Sequence, residues 1–271
     1  MCLTKEDILI AINNSGYLFE QEIASILESN NFYIQTNVAF NDEDEEKSRE
    51  IDVVGYKRFF HDEERKISIG VRILCECKNN TNPFVFICRN KNEVDKRYSP
   101  PNFIFPKKEY QKPIEGKPNS YHVYTGFQFF DLGKIHPYSQ KNTKAVQFCK
   151  IIRKGKEWCA FHDGIYDSIL LPMIKCLEFY KRQDNYSNSE WQYYTILFPI
   201  IVLNSDLYSI DSHISPINVN EVEFIHFTRD INYKKIKNKY LIDFVTKKGL
   251  TKYIEENINA FVDEFKKAIV R

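Results

Sequence analysis

The chain lacks a surplus of either charge: 38 Lys and Arg stand against 37 Asp and Glu, for a formal net charge of +1 over 271 residues. A protein that holds nucleic acid by bulk electrostatics carries a strongly basic footprint, so any such contact here must come from a local patch. Paired cysteines are missing too. The seven cysteines, at 2, 75, 77, 88, 149, 159 and 176, include no CxxC pair and have no histidines at finger spacing, which argues against zinc. Their odd, scattered set fits a reducing cytosol. Long hydrophobic runs are also absent. The longest, TILFPIIVL, is interrupted by Pro199 and is about half of what a membrane helix needs. The opening MCLTKEDILIAINNSG carries acids and a short amphipathic pattern, not the basic segment and apolar core of a signal peptide. The expectation is a cytoplasmic protein with no membrane association. No internal repeat, helix-turn-helix or finger appears.

What is present is ample core material: 43% apolar residues, 15% of all residues being aromatic. In YLFEQEIASILESNNF, Phe19, Ile23, Ile26 and Leu27 follow helical spacing and Asn30-Asn31 ends the pattern. Three strand candidates follow, YIQTNVAF, EIDVVGYKRF and ISIGVRILCECK, separated by an acidic run and a charged turn. The acidic run at 42–46 reads as a solvated hairpin tip, and PFVFI as a short fourth strand or a continuation of the third past Pro83. Residues 89–120 hold five of the ten prolines and eight Lys/Arg against four Asp/Glu, which predicts a long basic loop. The pattern of Ala145, Phe148, Cys149 and Ile152 predicts a helix over 142–154. GIYDSILLPMIKCLEFYKR predicts another, adjusted at Pro172. YYTILFPIIVL, EVEFIHFTRD and KNKYLIDFV predict buried strands, and TKYIEENINAFVDEFKKAIV a terminal helix. This order implies an α/β fold, a mixed sheet with helices on both faces. No linker divides the chain, so 1–271 reads as one domain: core motifs in 1–90, a Pro/Lys-rich insertion at 89–135, and helices, strands and a last helix over 140–271.

Chemistry concentrates in the strands. Asp52 lies in EIDVVG, and Glu76 lies 24 positions later in ILCECK. Along a strand Leu74, Glu76 and Lys78 share one face while Cys75 and Cys77 share the other. Singly, such residues are usually solvated edges or ion pairs of small worth. Together, two carboxylates and an ammonium are what metal-assisted phosphodiester cleavage requires.

Asp52 followed by Glu76-Cys77-Lys78 resembles the PD-(D/E)xK nuclease superfamily, whose restriction-endonuclease-like core runs helix, hairpin, strand, helix, strand. The upstream GYLFEQEIASILESNNFYI is similar to the opening helix of its Mrr-type and resolvase-like branches. The likeness covers mainly residues 16–90, and Ile51 stands where the motif has proline. It implies that Asp52, Glu76 and the backbone carbonyl of Cys77 bind Mg²⁺ or Mn²⁺, and that Lys78 positions or helps deprotonate the attacking water. It also implies that an acid of the first helix, Glu20, adds to the site. Helical geometry does not choose between Glu20 and Glu22, which flank the buried stripe on opposite sides.

The implied function is a metal-dependent nuclease, acting on DNA before RNA, in a prokaryotic restriction or anti-phage setting, with a partner protein as one possible source of specificity. Lys144, Gln147, Lys150 and Lys154 on the predicted 142–154 helix, and Lys107 and Lys108 with Tyr110 in the basic loop, are the candidate nucleic-acid contacts. The alternatives are a catalytically inactive binding or assembly module and an RNA-cleaving enzyme on the same core.

Overall fold

Apolar runs flanked by turn residues put strands first. The computed structural model describes residues 3–183 and 190–270; Met1 and Cys2 lie outside them. Helices α1 (Lys5–Ser15) and α2 (Tyr17–Ser29) lead into strands β1 (Tyr33–Asp42), β2 (Lys47–Asp62), β3 (Ile67–Lys78) and β4 (Phe84–Asn90). The next stretch holds short pieces: α3 (Glu93–Lys96), β5 (Phe103–Ile104), the β6–β7 hairpin (Tyr110–Pro113, Tyr121–Tyr124), α4 (Gly126–Phe129) and α5 (Pro137–Gln140). Then come β8 (Thr143–Lys154), β9 (Glu157–Phe161), α6 (Leu171–Gln183), β10 (Gln192–Leu203), β11 (Leu207–Asp211) and β12 (Val219–Glu221). The chain closes with β13 (Phe224–Tyr233), β14 (Ile236–Thr246), α7 (Leu250–Tyr253) and α8 (Ala260–Ile269).

One mixed sheet runs through the molecule in the order β1-β2-β3-β10-β14-β13-β8-β4-β11-β12. Its middle is β10, parallel to β3 on one side and to β14 on the other. A strand covered on both faces needs a continuous apolar sequence, and residues 194 to 203 are all buried. Proline is disfavoured inside a sheet because it donates no ladder bond. Pro199 sits in a gap: β5 pairs with β10 at Thr195 and Ile196, and β14 takes over only from Ile200.

Helices cover both faces. Phe19, Ile23, Ala24 and Leu27 of α2 join Phe261, Val262 and Phe265 of α8 against Val53, Ile73, Cys75 and Ile200. On the other face Met173, Ile174 and Leu177 of α6 pack on Ile51, Val54, Leu74 and Ile201. The helix read around Pro172 is present, preceded by a wider π-helical turn over Tyr166–Leu170. Pro172 offers no N–H to the turn before it, and such widening relieves the clash of its ring. Among the described residues no helix is long and apolar enough to cross a membrane.

Three expectations change. Residues 143–154 form strand β8, not a helix, paired to β4, β9 and β13. A bulge explains the misreading: Gln147 pairs with Ile87 and Ala145 with Cys88, leaving Val146 as an extra residue. Bulging turns a period of two into three, so Ala145 and Phe148 both reach the core and imitate a helical stripe. The basic segment is not structureless: Phe103, Phe105, Phe127 and Phe130 pack on the core beside α8 and Tyr194. Tyr110 is buried against Phe129 and Phe130 and is not offered for stacking. The acidic tip is a turn but only partly solvated, because Lys175 of α6 reaches Asp42 at 2.7 Å and Glu45 at 2.5 Å.

Candidate active site

Site geometry starts where β2 and β3 part. Their pairing ends at Val53 opposite Cys75, and one step further along the same register sets Asp52 opposite Glu76. The Cys77 amide, beyond the last pair, donates to Asp52 Oδ2 at 2.6 Å. A side-chain carboxylate thus takes the hydrogen bond that the separating strand no longer supplies. Two residues apart on one face, Lys78 Nζ donates to Glu76 Oε1 at 2.7 Å. Cys77 turns its side chain inward against the core and toward Cys75, 3.9 Å away. The contact with Cys75, then burial and the neighbouring charges, hold its thiol far above the usual range, so it is no nucleophile.

Helix α2 brings the third acid. It begins at Gly16, whose φ of 92° suits glycine and whose Cα approaches the turn after β3: a Cβ there would lie 3.5 Å from Asn79. Asn79 donates to the Asn13 carbonyl at 2.6 Å and accepts from Asn204 at 2.8 Å, tying this corner to the ends of β3 and β10. From that corner Glu20 projects into the field of Asp52 and Lys78, and the Asn37 side chain favours its charged form. Glu22 instead pairs with Lys247 at 2.5 Å on the surface. The structure thus separates the two acids that helical spacing leaves equivalent.

The electrostatics show a shortage of positive charge. Burial first, then the Glu76 charge, push Asp52 up to about 6, against the Cys77 hydrogen bond and Lys78. Burial and Asp52 likewise raise Glu20 above its ordinary value, with Asn37 opposing. Among the described residues, Lys78 is the ammonium that acts on Glu20, Asp52 and Glu76 alike, with Glu50 nearby. Hard oxygen donors with uncompensated charge suit Mg²⁺ or Mn²⁺. Among the described residues no three His, Cys, Asp or Glu side chains already form a metal cluster; Asp52 is turned to the Cys77 amide and Glu76 to Lys78.

The basic candidates scatter. Lys150 lies in the field of Lys78: burial, then the charge of Lys78, lower its pKa, and its ammonium lies 5.3 Å from the Phe84 ring centre. Lys144 is held by Asp95 at 2.6 Å. Gln147 lines a separate cavity with Tyr166 and Arg229, Lys154 sits over Phe161 at 5.7 Å, and Lys107 and Lys108 are exposed between β5 and β6. Sequence reading missed Asn37. Its φ of 51° is a left-handed conformation that asparagine tolerates better than most residues, and it falls between the pairs Thr36–Val53 and Val38–Ile51 that flank Asp52. An asparagine inside the strand pattern YIQTNVAF was the available signal. No protein-family model, no curated protein and no solved structure matches this chain.

Proposed function

We propose that this cluster hydrolyses phosphodiester bonds with a divalent metal ion, on the plan of the PD-(D/E)xK nucleases, and that DNA is its first substrate class. One observation carries the reading: Asp52 and Glu76 oppose each other where two strands part, with Lys78 beside Glu76 and more acid than nearby cation can neutralise. The chain order supports it, since α2, the β1–β2 hairpin, β3, α6 and β10 run helix, hairpin, strand, helix, strand, with β10 parallel to β3.

Asp52, Glu76 and the Cys77 carbonyl would hold the ion, with Glu20 adding charge from α2. A bound Mg²⁺ or Mn²⁺ supplies neutralisation of the phosphate and a more acidic water. Lys78, which pairs with Glu76 at 2.7 Å, would orient the attacking water and stabilise charge on the phosphoryl oxygens if Glu76 held the ion. Lys150 adds a second positive group on the phosphate side. A binding module on the same core is favoured by one feature, that both strand carboxylates are already satisfied by protein donors.

The test is incubation with single- and double-stranded DNA and RNA in Mg²⁺, Mn²⁺ or chelator. Metal-dependent cleavage that Asp52→Ala removes is the expected result. Absence of cleavage on every substrate with every metal would transfer the protein to the binding-module class.

A further inference from the structure

The sheet opens where β13 meets β8. The two strands pair at Phe227–Ala145 and, among the described residues, at no further position. Residues 162–170, between β9 and α6, complete the wall of the opening, and the result is a cavity of about 450 Å³, within the size range of small-ligand sites. Two irregularities border it. The β8 bulge at Val146 immediately precedes Gln147, and the π-helical turn contributes Tyr166 and Leu170. Bulges and π-turns re-aim side chains and gather at functional sites.

Much of the lining is apolar: Phe148, Phe227, Ile165 and Leu170 belong to the core beneath α6. The polar groups of the lining are left without partners. Arg229 shares its face of β13 with the buried Phe227 and Ile231 and lies opposite the buried Tyr240. On that core-facing row its guanidinium is exposed. Among the described residues the side chains of Arg229 and Gln147 and the Tyr166 hydroxyl make no hydrogen bond or ion pair, although Arg229 lies close enough to act on Tyr166 by charge. No Asp or Glu lines the cavity; Asp163, which pairs with His162 at 3.7 Å, and Asp167 lie outside the lining.

A free surface arginine is ordinary, but one that closes an apolar cavity without any acid selects a particular ligand. A guanidinium matches a carboxylate in a two-bond fork, and the Phe148, Phe227 and Leu170 wall gains only from hydrocarbon. A bare inorganic anion would leave that wall in water. We propose that this cavity binds a small carboxylic acid with an apolar body, its carboxylate on Arg229 with Gln147 and the Tyr166 hydroxyl as further donors. None of these residues belongs to the carboxylate cluster of β2 and β3.

Binding is measured by titration calorimetry in chelator, with 3-phenylpropionate and 4-methylpentanoate in one arm, their uncharged amides in a second and inorganic phosphate in a third. Both carboxylates are expected to saturate the protein below about 10 mM, the range open to molecules of this size. The amides and phosphate should bind at least about tenfold more weakly. Arg229→Gln, at an exposed position, should weaken carboxylate binding about tenfold or more, the scale of a lost charge-assisted pair, and leave the amides unchanged. Tyr166→Phe removes the hydroxyl alone and should weaken carboxylate binding a few-fold. No saturation by either carboxylate, equal binding by the amides or by phosphate, or unchanged affinity in Arg229→Gln overturns the proposal. Cleavage of nucleic acid plays no part in the readout, so the result stands apart from the nuclease reading.

Discussion

The β1–β2 hairpin carries acids in two places and treats them in opposite ways. At its tip, burial pushes Asp42 up, but hydrogen bonds from Lys175 and Arg49 outweigh it and hold the carboxyl below its ordinary value. Glu45 is likewise held well below its ordinary value by Lys175 and Lys47. In mid-hairpin, burial and Glu76 raise Asp52 to about 6. The tip has enough cations and serves as a clamp onto α6. The mid-hairpin site lacks them, and groups left with unbalanced charge in a cleft are where binding and chemistry concentrate.

The sharpest way to break that contrast is to remove the unbalanced acids. Asp52→Ala or Glu76→Ala should abolish metal-dependent cleavage, a loss beyond about 10³-fold, while circular dichroism and melting show an intact fold. Residual activity near wild type in either variant would place the chemistry elsewhere. The converse change is Lys175→Met. It strips a cation from Asp42, whose side chain is 2% exposed, leaving Arg49 as the partner. Stability should fall by about 3 kcal/mol, the low end for breaking a buried pair. Cleavage per folded molecule should hold constant, which urea unfolding beside single-turnover assays will show.

Lys78→Met should slow single-turnover cleavage by about 10²-fold while metal and nucleic-acid affinity change little. Equal cleavage by the variant would remove the ammonium from the mechanism. The pH profile of the metal-free protein sharpens the comparison further. A carboxyl near 6 when folded and about 3.9 when unfolded binds its extra proton in the folded state. Stability should therefore fall as pH rises from about 4 to about 6 and stay lowered above it. Asp52→Asn keeps an acceptor for the Cys77 amide but discards the charge, so melting in chelator at pH 7.5 should rise by about 1–3 kcal/mol equivalent. A lower melting point at pH 7.5 would contradict the uncompensated-charge account. The smallest effect belongs to Lys150→Met: a few-fold weaker binding and a shallower salt dependence by about one phosphate contact.

Much of this was legible because periodicity and strand alternation report burial. Phe19, Ile23 and Leu27 mark the buried stripe of α2, and the alternation through ILCECK sets Glu76 and Lys78 apart from Cys77. Legibility stops where a residue's role depends on distant chain. Lys175 turns the acidic tip into a clamp from more than a hundred positions away. Val146 hides a strand because one extra residue shifts the pattern. Asn37 was invisible as a site residue because its value lies in a backbone angle and a neighbour on α2, neither of which a strand pattern encodes.

The hydrogen bond from the Cys77 amide to Asp52 has a use as a reporter. An amide held by a carboxylate exchanges its hydrogen for deuterium only when that bond opens, and its neighbours on β3 are held by backbone ladders instead. The Cys77 amide should therefore be less protected than those of Ile73 and Cys75 and, once the intrinsic slowing of exchange in acid is divided out, less protected still at pH 5, where Asp52 is largely protonated. Its exchange rate follows the state of the Asp52 carboxylate directly, without substrate and without turnover.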